Sequence, residues 1–170
     1  MVSIRLTSPD DVPALQRIAI DTLVTTFGPQ NAEANIKAYL DRTYGLDTLR
    51  QELTETGSRN YLAFFGNELA GFMRLRENNE AQQLLGKNAI ELQRLYVVEK
   101  FHGRKIGAAL MREGMDYAKQ TGYAWIWLGV WEGNPKAQEF YARWGFERFS
   151  EHVFLMGDDA QKDWLLKRRL

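Results

Sequence analysis

Residues 90 to 146 contain the feature that most restricts the fold, a strand-like segment that turns through two glycines into an amphipathic helix. The helical stretch, residues 103 to 119, carries apolar side chains on one face and charged ones on the other. The almost continuously apolar segment from Tyr123 to Val130 follows, which is typical of a strand buried on both faces of a sheet. This order predicts an α/β fold with a helix-covered central sheet.

The remaining segments extend this pattern in both directions. Apolar and polar residues alternate from Val2 to Leu6, which is the period of a half-buried strand. We interpret the whole as α/β (α+β), with a mixed central sheet of about seven strands flanked by helices in the order β-α-α-β-β-β-α-β-α-β-β. The further predicted elements are helices near 12–24, 31–40 and 46–53, a hairpin of 61–65 with 69–75, a polar surface connection over 76–88, a helix after Asn134, and strands at 146–156 and 164–170.

Composition narrows the functional classes. The 170 residues fit a single domain, 1–170, and the 22 basic residues equal the 22 acidic ones, so no net field favours nucleic acid. Cysteine is absent and the two histidines are far apart, which argues against disulfides and a structural zinc site. No apolar run resembles a signal peptide or a membrane span. We therefore expect a cytoplasmic protein with no metal, no nucleic-acid partner and no membrane contact.

The strand that begins at Ile90 contains an irregularity. Ile90 and Leu92 fit a period of two, but the next apolar residues are Leu95 and Val97, so the alternation slips by one position. A β-bulge near Gln93 would produce this slip and could direct a backbone group at a ligand. A central strand covered on both faces would also explain it, because strict alternation is not required there.

The segment from Gly103 to Ala109 places two glycines where this strand meets the following helix. Glycine allows the backbone to turn tightly, and the unpaired N–H groups at a helix start favour an anion such as phosphate. The segment matches neither the nucleoside-triphosphate loop nor the dinucleotide fingerprint. An ordinary loop remains the alternative from these residues alone.

Two motifs resemble a known family. Arg104-x-x-Gly107-x-Ala109 resembles the Q/R-x-x-G-x-G/A signature of the Gcn5-related N-acetyltransferase superfamily, whose loop amides hold the pyrophosphate of acetyl-CoA. The later block is similar to the CoA-facing helix of that family and the turn after it, and reads Asn134-x-x-Ala137-x-x-Phe140-Tyr141-x-x-x-Gly145-Phe146. With the order of elements, the resemblance covers nearly the whole chain. It implies acetyl-CoA as cosubstrate and a small amine as acceptor.

The resemblance also implies roles for individual residues. In direct acetyl transfer, a backbone N–H within Leu95 to Val97 would hold the oxyanion. Tyr141 would protonate the leaving thiolate, the alternative being an aromatic residue that packs the core. Asn134 would cap its helix and could also contact the pantetheine arm. The full set implied to bind acetyl-CoA is Leu95, Tyr96, Val97, His102, Gly103, Arg104, Lys105, Ile106, Gly107, Ala108, Ala109, Asn134, Lys136 and Tyr141.

The general base is less defined by the sequence. Glu91 and Gln93 alternate with Ile90 and Leu92, so they should share one face of the strand. Glu91 is our candidate base, directly or through water, and a solvated or salt-bridged carboxylate is the alternative. Relatives commonly have a further acid where this chain has Gln93, so the identity of the base stays open. His152 has no partner visible in the sequence, and no role is assigned to it.

The acceptor is indicated by a weaker resemblance. Residues 25–53 and Glu91 to Val97 resemble bacterial spermidine and spermine acetyltransferases. Trp125, Trp127 and Trp131 either line an acceptor pocket or pack the core. Protein or peptide acetylation and a non-catalytic acyl-CoA sensor are the alternatives, and a homodimer could pair through the final strand with Trp164, Leu165 and Leu166. The residues expected to attract a polyamine are Glu33, Asp41, Asp47, Glu52, Tyr39 and Tyr44.

Overall fold

A seven-stranded sheet is central to the structure, a computed structural model that describes residues 1–81, 85–86 and 88–170. The strand order across the sheet is β1-β2-β3-β4-β5-β7-β6; β4 and β5 run parallel and the other neighbours antiparallel. The predicted α/β class and mixed seven-stranded sheet are confirmed. The strands are β1 (Val2–Leu6), β2 (Ser58–Phe65), β3 (Glu68–Arg76), β4 (Ala89–Val97), β5 (Trp125–Trp131), β6 (Glu147–Met156) and β7 (Asp159–Arg169).

Among the described residues, three helices follow β1, one connects β4 to β5 and one follows β5. The helix after β4 begins at Ile106 rather than near Gly103, because Gly103 and Lys105 adopt left-handed backbone conformations that a helix does not continue. Within the described ranges, no helix has both the length and the hydropathy needed to cross a bilayer. The helices are α1 (Val12–Phe27), α2 (Glu33–Thr43), α3 (Leu46–Thr54), α4 (Ile106–Thr121) and α5 (Pro135–Arg143).

The sheet has a core on each face. On one face, which we call the α4 face, Ile90 and Leu92 of β4 pack with Leu110 of α4. On the opposite face, the α1–α3 face, Phe72 of β3 packs with Leu23 of α1. Successive residues of a strand point to opposite faces, so β2 and β3, near the middle of the sheet, contribute to both cores.

The final strand differs from the prediction. β7 begins at Asp159, because the turn at 157–158 lets Met156 pair with Asp159. β7 also pairs with β5 on its other side, and Leu165 and Leu166 are buried. The predicted pairing of two copies through this strand is therefore wrong, since β7 has no open edge.

The predicted connection over residues 76–88 is described only in part. It leaves β3 after Arg76 and includes a 3-10 turn at Asn79–Ala81. Within the predicted connection, residues 82–84 and 87 lie outside the described residues.

Candidate functional site

The irregularity in β4 is a β-bulge. Arg94 pairs with Arg74 and Leu92 pairs with Leu75, so Gln93 is an extra residue on β4. Because of this insertion, Leu95 and Val97 return to the α4 face that Ile90 and Leu92 already occupy. The bulge was one of two explanations for the slipped alternation, and the register supports it.

Beyond the bulge, β4 separates from β5. Their parallel pairing joins Ala89–Glu91 to Trp125–Trp127 and goes no further in the described register, although both strands continue. Leu95 to Val97 are half-buried despite their place in a central strand. We call the space between residues 92–97 and 128–131 the β4–β5 opening. Backbone groups of β4 that face this opening can form hydrogen bonds with an extended ligand, as strands do with added peptides.

The glycine-containing loop lies at the end of β4 and forms the start of α4. Gly103 and Lys105 have φ values of 79° and 63°, and a left-handed conformation costs a non-glycine residue about 1 kcal/mol. The first hydrogen bond of α4 runs from the Ala109 N–H to the Lys105 carbonyl at 3.0 Å. The N–H groups of residues 106–108 precede that bond and point out of the helix start, where an anion is favoured.

Gly107 is not required by the folded chain itself. A Cβ there would lie 3.6 Å from the Phe140 ring and 3.7 Å from a Val97 methyl group, which are ordinary contact distances. Its backbone is also not left-handed. Glycine at this position leaves the backbone accessible to close approach by a bound group.

Several predicted cofactor contacts are exposed around this loop. The Nε2 atom of His102 lies 2.9 Å from the Val97 carbonyl oxygen, and the Arg104 guanidinium lies 5.7 Å from the Phe65 ring centroid. Lys136 is exposed in the first turn of α5. A cavity of about 250 Å³ lies beside His102, between α1 and the end of β4, with Thr25 of α1 in its lining.

Tyr141 is positioned by a well-capped α5. The Asn134 side-chain oxygen accepts a hydrogen bond from the Ala137 N–H at 3.2 Å, which confirms the predicted cap. Tyr141 is 9% exposed, and burial raises the pKa of its phenol, so the proton is held at neutral pH. The Tyr141 ring packs in the core of the α4 face, 5.8 Å from the ring of Phe146. Burial also raises the pKa of Tyr96, which lies on β4 beyond the bulge at the open end of the strand.

Glu91 lies at the opposite, closed end of the opening. It is the last β4 residue paired with β5, and its Oε2 atom accepts hydrogen bonds from Arg76 at 2.5 Å and Asn78 at 2.9 Å. Gln93 accepts a hydrogen bond from Arg74 at 2.6 Å. Arg74 and Arg76 are two residues apart on β3 and therefore point to one face of the sheet. Their partners, Gln93 and Glu91, share that face, as expected. No contact within the described residues joins Glu91 to Tyr141, or a donor to the Oε1 atom of Glu91.

Four charged residues of α3, β3 and β4 form what we call the closed cluster. Arg94 binds Glu52 through two hydrogen bonds of 2.6 and 2.9 Å, and Arg74 lies 3.1 Å from the same carboxylate. Arg74 also contacts Glu55, and both arginines are buried. The prediction that Glu52 attracts a polyamine is therefore wrong, because two arginines neutralise it. The members of the closed cluster are Glu52, Glu55, Arg74 and Arg94.

The other residues expected to attract a polyamine give little support for a polyamine-binding surface. Asp41 pairs with Lys37, and Asp47 pairs with Arg50, on exposed helix surface. Tyr44 is buried under the guanidinium of Arg94 at 4.8 Å. The remaining members, Glu33 and Tyr39, stand at the start of α2 and beside Phe154.

The predicted tryptophan cluster divides between core and surface. Trp127 is fully buried with Ala89 and Leu165, which supports core packing for this residue. Trp131 is half-buried, with its ring 5.5 Å from that of Phe27. Trp131 packs against the core of the α1–α3 face, and Trp125 packs against the same cluster as Trp127.

A second charged group, which we call the open cluster, was not apparent from the sequence and is formed by Glu80, His152 and Asp163. His152 Nε2 lies 3.3 Å from Asp163 Oδ2, and His152 Nδ1 contacts Glu80. His152, for which the sequence shows no partner, therefore has two in the structure. The hydrogen bond with Asp163, and a smaller contribution from Glu80, raise the pKa of His152 to about 9 despite partial burial. The hairpin register carried a usable signal, because pairing Met156 with Asp159 puts His152 opposite Asp163.

Neither cluster has the arrangement of a metal site. Within residues 1–81, 85–86 and 88–170, no group of three or more histidine, cysteine, aspartate or glutamate side chains is placed to hold a metal ion.

Comparison with known proteins gives consistent matches over this fold. A family model described as the acetyltransferase (GNAT) family matches residues 21–146. An N-acetyltransferase of Lactobacillus delbrueckii subsp. lactis, named as uncharacterised, is 36% identical over 99% of this chain and 98% of its own length.

Two further matches come from Thermoplasma acidophilum. A spermidine N(1)-acetyltransferase is 26% identical over 86% of this chain and 88% of its own. The crystal structure of the PaiA N-acetyltransferase, in complex with coenzyme A, superposes with a TM-score of 0.84 at 23% identity, over 100% of this chain and 99% of that one. That structure shares the fold described above.

Proposed function

The chain belongs to the acetyltransferase (GNAT) family, and on this premise we propose that it transfers the acetyl group of acetyl-CoA directly to a primary amine, with a polyamine such as spermidine or spermine as acceptor. The observation that carries the proposal is the β4–β5 opening, which leads to the unused N–H groups of residues 106–108. An extended thioester with a pyrophosphate at one end matches this combination of strand edge and anion site.

The proposed binding mode uses two kinds of backbone contact. The pyrophosphate would accept hydrogen bonds from the loop, residues 103–109, with His102 and Arg104 at its border. The pantetheine arm would lie along Leu95 to Val97, and Asn134 and Lys136 would contact it from α5. We propose that these parts form one domain over residues 1–170, because β1, β6 and β7 extend the sheet that the family match, 21–146, already contains.

The proposed chemistry follows from direct attack. The ammonium of the acceptor loses a proton, and its nitrogen lone pair attacks the thioester carbonyl carbon. A backbone N–H within Leu95 to Val97 stabilises the resulting oxyanion. The carbon–sulfur bond then breaks, and the thiolate takes the phenolic proton of Tyr141 to give CoA. The extra proton of the amide nitrogen passes to the resulting phenolate and restores Tyr141. Burial favours this role, since it keeps the phenol protonated at neutral pH.

Glu91 is proposed as the group that accepts the first proton. Both of its hydrogen bonds end on Oε2, so Oε1 can accept one from a water or the ammonium. Because Glu91 lies at the closed end of the opening, a bridging water fits this role better than direct contact.

The polyamine acceptor is supported by the relative that is named a spermidine acetyltransferase. Polyamines also carry more than one positive charge, so a site can contact them at two ammonium groups.

The test replaces Tyr141 with Phe. Thiol release from acetyl-CoA with spermidine should fall about 100-fold in kcat, since a general acid contributes roughly 10²–10⁴-fold. The dissociation constant for CoA, measured by calorimetry, should stay within about twofold. Tyr117→Phe is the matched control, because that ring lies on α4 against Arg59 and outside the opening.

Two results would contradict the proposal. Unchanged turnover in Tyr141→Phe would remove the assigned acid. Silence of the wild-type protein towards spermidine, spermine, diamines and short peptides, despite tight acetyl-CoA binding, would instead indicate an acyl-CoA sensor.

A further inference from the structure

We propose that Asp163, held by His152 and Glu80, binds a second ammonium group of the acceptor and so selects diamines and polyamines over monoamines. This inference rests on the proposed amine acetylation and assigns a specificity role to the open cluster. Four observations carry it: the position of Asp163, the state of its oxygens, the charge balance around it, and the strand spacing.

The Asp163 carboxylate lies over a gap in the sheet surface. Asp163 pairs with Trp131 of β5, and its Oδ2 atom is 3.1 Å from where a Cβ of Gly129 would lie. Gly129 is exposed although it belongs to a central strand. The surface above it therefore has room for a ligand group beside the carboxylate, on the same face as Glu91 and Arg94.

One carboxylate oxygen of Asp163 lacks a donor. Oδ1 is buried and accepts no hydrogen bond from the described residues, whereas Oδ2 faces His152. A carboxylate oxygen without a donor is unfavourable in such a place. Because Oδ1 is buried, a ligand meets the carboxylate at Oδ2, beside the exposed Gly129, where an ammonium can share that oxygen with His152.

The charge balance differs between the two clusters on this face. In the closed cluster, two arginines match two glutamates, and the Arg76–Glu91 pair is likewise balanced. In the open cluster, two carboxylates face a single imidazole. The raised pKa of His152, about 9, makes it cationic at neutral pH, which leaves one negative charge in excess. A ligand ammonium would neutralise that charge.

The strand spacing fits a diamine. Neighbouring strands lie about 4.8 Å apart, and β7 is the next strand after β5, so Asp163 stands about one to two spacings from the β4–β5 opening. Adjacent nitrogens of a polyamine are joined by three or four methylene groups and lie about 5–6 Å apart, given bonds of about 1.5 Å. One nitrogen in the opening and the next at Asp163 is therefore a feasible pose, which a monoamine cannot adopt.

The test compares Asp163→Asn with Asp158→Asn, an exposed aspartate in the neighbouring turn. Acceptors are spermidine, butane-1,4-diamine and butylamine, followed by thiol release. For Asp163→Asn we expect KM for spermidine and the diamine to rise at least about tenfold with kcat within about threefold, as loss of a charge-assisted hydrogen bond implies. The kcat/KM for butylamine should stay within about twofold, and Asp158→Asn should behave as wild type.

His152→Gln tests the positioning role of the imidazole. It should raise KM for the diamine by a smaller factor, about threefold, and leave kcat unchanged, because Asp163 remains but is held less firmly. If Asp163→Asn does not fold, as judged by circular dichroism, Asp163→Ser replaces it with the same expectations.

An unchanged KM for the diamine in Asp163→Asn, or an equal loss with butylamine, would overturn the inference. Calorimetric binding of spermidine to the CoA-bound protein separates it from the proposed function. If the wild-type protein acetylates no amine, acetyl transfer fails, and spermidine binding that Asp163→Asn weakens would still support the site. Equal binding by both proteins, or none by the wild type, would overturn it.

Discussion

Two groups of charged side chains lie on the same face of the sheet but differ in how far their charges are balanced by their neighbours. In the closed cluster, Arg94 binds Glu52 through both guanidinium nitrogens, and Arg74 is shared between Glu52 and Glu55. In the open cluster, His152 lies between two carboxylates, and one oxygen of Asp163 has no donor from the described residues. The first group is balanced and both of its arginines are buried, whereas the second is negative beside an exposed glycine.

This difference separates architecture from recognition. Buried ions that are matched and hydrogen-bonded hold their elements in one arrangement, here α3 against β3 and β4, and leave no charge for a ligand. The excess charge of a partly exposed group can be neutralised by a ligand of opposite charge. Charged residues near a binding site are therefore better judged by their local balance than by their sign.

A substitution at Glu52 is the strongest test of the contrast between the closed and open clusters. Glu52→Gln leaves two buried arginines with one exposed carboxylate, and we expect the free energy of unfolding to fall by about 3–5 kcal/mol. Urea unfolding followed by circular dichroism measures this change. Glu55→Gln is the control, with an expected loss below about 1 kcal/mol, because the Glu55 side chain is 52% exposed. Equal losses in the two variants would mean that the closed cluster is not held by Glu52.

Glu91 tests the boundary between the two groups, since it is both ion-paired and our candidate base. Glu91→Gln should lower kcat about 100-fold, as expected for a general base, while unfolding free energy falls by about 1 kcal/mol. Thiol release with spermidine and urea unfolding on the same preparation give both numbers. A large stability loss with normal turnover would assign Glu91 to the structural ion pairs instead.

The contrast also shows which features a sequence can predict. The turn through the glycines and the Asn134 cap depend on neighbouring residues, so local patterns predicted them. The slipped alternation at Gln93 left two explanations open, and only the strand register identified the bulge. The pairing of Glu52 with Arg94 joins residues 42 positions apart, and Glu80 is 72 positions from His152. No local pattern encodes such contacts, because they depend on how helices and strands pack.

Strand order is a second feature beyond local pattern. The apolar residues of the last strand correctly predicted a strand but not that it inserts between β5 and β6. The expected exposed edge followed from assuming that the last strand in sequence is also the last in the sheet. Likewise, no sequence pattern distinguishes Glu52 from Asp163, because their roles depend on which charges surround each of them.

The open cluster should make stability depend on pH above neutrality. The pKa of His152 is about 9 in the folded protein and 6.5 ordinarily, so its contribution is complete below pH 6.5 and disappears as pH rises through 9. Because the imidazole is partly exposed, we expect a loss of only about 1 kcal/mol between pH 6 and 9.5. Urea unfolding at several pH values measures it, and His152→Gln should lose this part of the dependence. A pH dependence identical in both proteins would show that His152 is not held as an imidazolium.

Asp163→Asn gives the smallest expected effect on stability and the sharpest contrast with Glu52. The substitution weakens the contact with His152, but it also removes the excess negative charge and the carboxylate oxygen that lacks a donor. These effects oppose each other, so we expect the unfolding free energy at pH 7 to change by less than about 0.5 kcal/mol. The same urea measurement tests this, with Asp158→Asn as the exposed control. A loss as large as that of Glu52→Gln would make Asp163 part of the architecture and would remove the distinction between the closed and open clusters.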